Sequence, residues 1–137
     1  KMVSLCEKIL ENLKTKKITI LGLTFKPDTD DIRSSPSLDA INLFLDKGSI
    51  VSAYDPMFKN QAEISILPKN CNYCMTIEES LSDSDAVLVF TKWPEFKSLN
   101  SEFLKQCMKN PVIIDGRGFL DKEKFEDGTY FKIGYSE

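Results

Sequence analysis

Residues 17–41, KITILGLTFKPDTDDIRSSPSLDAI, decide the fold. KITILG (17–22) is short, β-branched and apolar, as a buried strand requires, and Leu38, Ile41 and Leu45 recur at helical spacing beyond the charged loop. Ser34-Ser35-Pro36 supplies a helix N-cap followed by proline at the first helical position. The segment therefore reads strand, loop, helix, and such a loop lies where open α/β sheets bind ligands. Within it Lys26 and Arg33 flank Asp28, Asp30 and Asp31. Two readings stand. Amide donors, a helix N-terminus and two cations converge on an anion such as a phosphate, or the charges pair with one another in solvent.

Outward from this unit the alternation continues. Gly48 ends the helix, and 49–54 makes a second strand closed by Asp55-Pro56. A short third strand is expected near 73–75 and a short helix within the acidic stretch 78–85. AVLVFT (86–91) is nearly all apolar, as a central parallel strand covered on both faces should be. A helix near 101–108 points Phe103, Leu104 and Cys107 inward, a strand follows at 111–115, and 130–133 adds an edge strand. Upstream, Leu5, Ile9 and Leu13 form an apolar stripe on a helix over 4–13. The whole predicts a Rossmann-like α/β fold, an open and mostly parallel sheet with helices on both faces.

Composition bounds what this fold does. The 137 residues, 42% hydrophobic, suit one domain with a full core. A net charge of -3 and a pI near 5.1 argue against nucleic-acid binding, which needs a cationic face. No apolar run approaches the roughly 18 to 20 residues of a membrane span, so no membrane association is expected and a cytoplasmic protein is inferred. Cys6, Cys71, Cys74 and Cys107 read as reduced packing residues, because without histidine or a second CxxC a zinc site would need all four. The lack of histidine also removes the commonest general base. The loop aspartates, spaced D-x-D-D beside a lysine and an arginine, read as ion-pair partners and not as magnesium ligands.

The dinucleotide fingerprint is missing, for GLTFKP and not G-x-G-x-x-G follows the first strand. Thr24 stands where a bare backbone would approach a pyrophosphate. Asp55 resembles an acid that holds an adenosine ribose, but the Asp-Pro pair also reads as a turn, and the lost glycines favour the turn. A second charged constellation is VIIDGRGFLD (112–121), where Gly116 and Gly118 leave Arg117 able to aim at a ligand. If the first and fifth strands end on one edge, Lys26 and Arg117 face one crevice, and the guanidinium fork suits a phosphate or a uracil-type carbonyl. The alternative is an Arg117 pair with Asp115 or Asp121. In TKWPEF (91–96), Trp93 and Phe96 either wall a pocket or cap the core.

Taken in order, GLTFKPDTDDIRSSPSLDAI, AYDP, TKWPEF and VIIDGRGFLD resemble the C-terminal, UDP-binding domain of the UDP-glucose/GDP-mannose dehydrogenases, most like the UDP-glucose branch. The similarity runs from about residue 16 to the end. The resemblance implies that residues 1–15 are the tail of a central helical segment of a longer protein and 16–137 the nucleotide-sugar domain. It further implies oxidation of a sugar C6 alcohol to a carboxylate with NAD, through a cysteine upstream of residue 1. By position, Phe25, Lys26 and Arg117 would contact a UDP-sugar substrate, Lys26 as an auxiliary to stabilise oxyanion character, and Arg33 would reach the NAD. The main NAD site and the nucleophile would lie in the rest of the polypeptide, a homodimer when full length. Lys92 and Gly118 depart from the family pattern, where an acid and an asparagine are common.

Overall fold

The computed structural model describes residues 2–24, 35–59 and 67–133. In chain order the elements are α1 (Met2–Leu10), β1 (Lys17–Leu21), α2 (Pro36–Asp46), β2 (Ile50–Tyr54), β3 (Cys71–Tyr73), α3 (Ile77–Leu81), β4 (Ala86–Val89), α4 (Ser101–Cys107), β5 (Ile113–Asp115) and β6 (Tyr130–Lys132). Short 3-10 turns lie at Pro94–Ser98 and Lys122–Lys124. Among the described residues all six strands pair parallel, in the order β3-β2-β1-β4-β5-β6. This is the doubly wound order in which the chain reverses direction between β1 and β4.

Alternation along each strand sends successive side chains to opposite faces, and both faces are covered. Ile18, Ile20, Val51, Ala53, Leu88 and Ile114 pack on one side with Met2, Val3 and Cys6 of α1 and Ile41 and Phe44 of α2. Val87, Val89 and Ile113 pack on the other with Leu81 of α3, Leu104 of α4 and Phe96. Thr19 on β1, like Ser52 on β2, is a polar residue buried at mid-strand. Its hydroxyl is satisfied by the Ser80 carbonyl and the Ser84 hydroxyl, so a buried polar group costs little there.

Helix and strand limits shift by a few residues from the sequence reading. Helix α1 begins earlier and stops at Leu10, where Glu11 takes a positive φ of 71°; Leu13 is buried beyond it, in the connection to β1. Strand β3 starts at Cys71, two residues ahead of expectation, because Val51 to Ala53 pair with Cys71 to Tyr73. Helix α3 spans Ile77–Leu81, capped by the Thr76 hydroxyl on the Glu79 amide, and closes before the end of the acidic stretch.

Candidate functional site at the carboxyl rim

Register brings the sequence motifs to one edge. Leu21 pairs with both Tyr54 and Val89, and Val89 pairs with Asp115. Four neighbouring strands thus end level, and the loops that begin at Asp55, Gly22, Phe90 and Gly116 leave one rim side by side. The exits of β1 and β5 flank β4, about 10 Å apart at the usual strand spacing. Phe25, Lys26 and Arg33, with the three loop aspartates, lie outside the described residues.

Two buried carboxylates organise this rim. The first, Asp55, is wholly buried. One of its oxygens accepts the amides of Leu23 (2.6 Å) and Thr24 (3.2 Å) and the Trp93 indole N–H (3.2 Å), while the other accepts the Met57 amide (2.7 Å). The loops after β1, β2 and β4 are thereby tied to one side chain. An acid turned inward in this way cannot reach a ribose, and the turn reading of Asp55 is the one the geometry supports. Trp93 serves the same knot, and Phe96, with no exposed surface, fills the core beneath it.

The second, Asp115, is equally buried. It accepts the amides of Arg117 (3.0 Å) and Gly118 (2.8 Å) on one oxygen, and the Leu120 amide (2.9 Å) and the Tyr130 hydroxyl (2.6 Å) on the other. Asp115 therefore meets the backbone of Arg117 and not its guanidinium. The side chain of Arg117 is exposed and makes no ion pair or hydrogen bond among the described residues, which sets aside the pairing with Asp115 or Asp121. Burial, and then the Asp115 acceptor, push the Tyr130 phenol well above its usual range, so it stays a donor through neutral pH.

A cavity of about 270 Å³ opens beside Arg117. Its walls include Met2 and Val3 of α1, Pro36, Asp39 and Leu43 of α2, and Phe90 and Gly116 at the ends of β4 and β5. Arg117 is the cation of this lining and Asp39 the acid. Gly116 is fixed by this packing: a Cβ there would lie 2.3 Å from the Met2 sulfur and 2.9 Å from the Val89 carbonyl oxygen.

The N-terminus of α2 behaves differently from the anion nest weighed in the sequence. Ser35 caps it and Pro36 follows, as expected. However, the Ser37 amide donates to the Ser35 hydroxyl (3.2 Å) and the Leu38 amide to the Ser35 carbonyl (3.1 Å), and Pro36 has no N–H. The first-turn donors are already engaged, and the hydroxyls of Ser35 and Ser37 anchor the turn to the Leu23 carbonyl (2.9 and 3.0 Å). Nor do the described residues form a dinucleotide cradle. Gly22 has φ +94°, yet the space a Cβ would take is filled by Thr91 at 2.5 Å, and the amides of Leu23 and Thr24 are held by Asp55. NAD does not fit these residues.

The cysteines are packing residues. No disulfide joins any of the four, and Cys6, Cys71 and Cys74 are buried. Burial raises every one of them, Cys6 and Cys71 to about 12. Residue types gave Lys26, Arg33 and Arg117 as candidates and brought Asp55 and Asp115 into view as turn or pairing residues, but Tyr130 and Met2 had no signal as parts of the rim, because each meets it through a partner distant in sequence.

The architecture is that of a Rossmann-like α/β domain, with the loops at the carboxyl ends of a doubly wound sheet gathered on one rim. More particularly, the chain belongs to the UDP-glucose/GDP-mannose dehydrogenase family, whose UDP binding domain matches residues 19–122. It is 38% identical over 122 residues to UDP-glucose 6-dehydrogenase TuaD of Bacillus subtilis, covering 89% of this chain and 26% of that protein. UDP-glucose 6-dehydrogenase of Rickettsia bellii is 36% identical over 126 residues, covering 90% and 29%. Among solved structures, NDP-N-acetyl-D-galactosaminuronic acid dehydrogenase from Methanosarcina mazei superposes with a TM-score of 0.80 at 29% identity, over 97% of this chain and 28% of its own. The UDP-N-acetyl-mannosamine dehydrogenase Cap5O from Staphylococcus aureus gives 0.76 at 30%, over 96% and 29%. The chain spans little more than a quarter of each relative. No helix among the described residues is long and apolar enough to cross a membrane.

Proposed function

We propose that this domain holds the UDP-sugar substrate of an NAD-dependent nucleotide-sugar dehydrogenase that converts UDP-glucose to UDP-glucuronate, and that alone it catalyses nothing. The observation that carries the reading is Arg117, an exposed guanidinium with no protein partner among the described residues, on a loop whose amides are bound by Asp115 at the carboxyl rim of the sheet. A fork of donors presented this way suits a diphosphate or a uracil carbonyl. Phe25 and Lys26 would close on the same ligand from the loop after β1, Lys26 as an auxiliary cation. Arg33 would reach toward NAD. None of the four cysteines matches the nucleophile that the resemblance implies, so that cysteine and the NAD site would belong to the remainder of the polypeptide, to which residues 1–15 would lead as the end of its central helical segment. A homodimer in the cytoplasm, with a role in polysaccharide precursor synthesis, completes the reading.

The choice of UDP-glucose rests on the 35–38% identity to several UDP-glucose 6-dehydrogenases. The runners-up are a UDP-N-acetylmannosamine or GDP-mannose dehydrogenase domain, the former favoured by the 30% identity to Cap5O, and a stand-alone nucleotide-sugar-binding module. In the full polypeptide, NADH formation at 340 nm with UDP-glucose is expected, and Arg117→Ala should raise the KM about tenfold or more. Reduction of NAD only with one of the other two sugars would move the substrate assignment. Turnover by the 137-residue chain alone would overturn the division of labour.

A further inference from the structure

Tyr130 stands on the edge strand β6, outside the lining of the Arg117 cavity, yet it bears on how that arginine is presented. Its hydroxyl is the one side-chain donor to Asp115 among the described residues, at 2.6 Å, on the same carboxyl group that takes the amides of Arg117, Gly118 and Leu120. The phenol ring is itself fixed, stacked on Phe125 at 5.2 Å with 14° between the planes. A carboxyl group free to rotate about its terminal bond would satisfy the three amides in more than one arrangement. A fourth donor anchored to a different element singles one out. Because Arg117 has an otherwise unrestrained side chain, the direction of its Cα–Cβ bond is set by this loop geometry and little else.

Resting on the functional reading above, we propose that Tyr130 is a positioning residue for nucleotide recognition, locking the Asp115 carboxyl group so that the 115–118 turn aims Arg117 at the diphosphate. Tyr130→Phe removes the hydroxyl and keeps the ring on Phe125, so the fold is retained. Tyr54→Phe is the matched control. It loses a comparable phenol-to-carboxylate bond, Tyr54 to Glu95 at 2.9 Å, three strand positions from Asp115 in the sheet, about 14 Å at the usual strand spacing.

The test is calorimetric titration of UDP into the full polypeptide carrying wild-type sequence, Arg117→Ala, Tyr130→Phe or Tyr54→Phe. Tyr130→Phe is expected to weaken UDP about fivefold, the scale of one hydrogen bond, with Tyr54→Phe at the wild-type value and Arg117→Ala weakest. Wild-type affinity in Tyr130→Phe, or an equal loss in Tyr54→Phe, would overturn the positioning role while leaving the functional reading intact. Wild-type affinity in Arg117→Ala, or no UDP binding by the parent, would instead overturn the functional reading and this inference with it.

Discussion

Asp55 illustrates how one residue sets the shape of the rim. A fully buried carboxyl group is costly unless its oxygens are satisfied, and here three backbone amides and an indole N–H satisfy them. The same bonds join three loops, so their loss is felt at each. Asp55→Ala should cost about 3 kcal/mol or more, because several buried donors lose their acceptor together. Asp55→Asn should cost less, since its one carbonyl oxygen keeps the crowded side of the group while its NH2 faces the Met57 amide. Urea unfolding followed by the fluorescence of Trp93, the sole tryptophan, measures both; equal midpoints for Ala and wild type would show that the knot carries no stability. The sequence displayed Asp55 plainly but left open whether it faced a ligand or a turn. Its direction depends on Trp93, 38 residues away, and no local pattern records such a partner.

At the scale of elements, the strands were the most legible feature. Apart from Thr19, whose hydroxyl is bonded to Ser80 of α3, KITIL and AVLV turn apolar side chains to the helix layers, and they form β1 and β4 close to where they were read. Ends were less legible, since the limit of β3 depends on its register with β2, and that of α1 on a left-handed residue that is not glycine. Least legible was the seat of α1, whose Met2 lies over Gly116 of the loop after β5. This contact gives a compensation test. Gly116→Ala would place a Cβ 2.3 Å from the Met2 sulfur and 2.7 Å from its methyl carbon, and should cost about 1–3 kcal/mol. Met2→Ala removes both of those atoms, the two nearest, and leaves the 2.9 Å approach to the Val89 carbonyl. The double variant should therefore be more stable than the sum of the single losses predicts, a coupling of about 1 kcal/mol in a denaturation cycle. Simple additivity would mean that α1 does not bear on this loop.

At the scale of the whole molecule, the two helix layers enclose groups that resist ionisation on both sides of the sheet, and this couples global stability to alkaline pH. Cys6, between α1 and the sheet, is raised by burial, with Asp85 and Glu7 adding to the effect, from 9.0 to about 12; Cys71 on β3 is raised to about 12, again chiefly by burial. The folded state therefore keeps protons that the unfolded chain releases. Stability is intact below about pH 9, where both states are protonated. It falls as pH rises from there toward 12, because the unfolded chain alone gains from ionisation. Tyr54 and Tyr130 are shifted in the same direction and add to the loss higher in the range. The urea midpoint should thus decline between pH 8.5 and 10 and hold steady from 7 to 8.5. Cys6→Ala creates a small cavity and lowers the midpoint at every pH, but it removes one of the protons in question, so its decline should be shallower. A wild-type midpoint unchanged from pH 8.5 to 10, or a slope unaltered by Cys6→Ala, would mean that the thiol under α1 is reached by solvent. The helix would then be loosely held over the sheet, and with it the wall it contributes to the cavity beside Arg117.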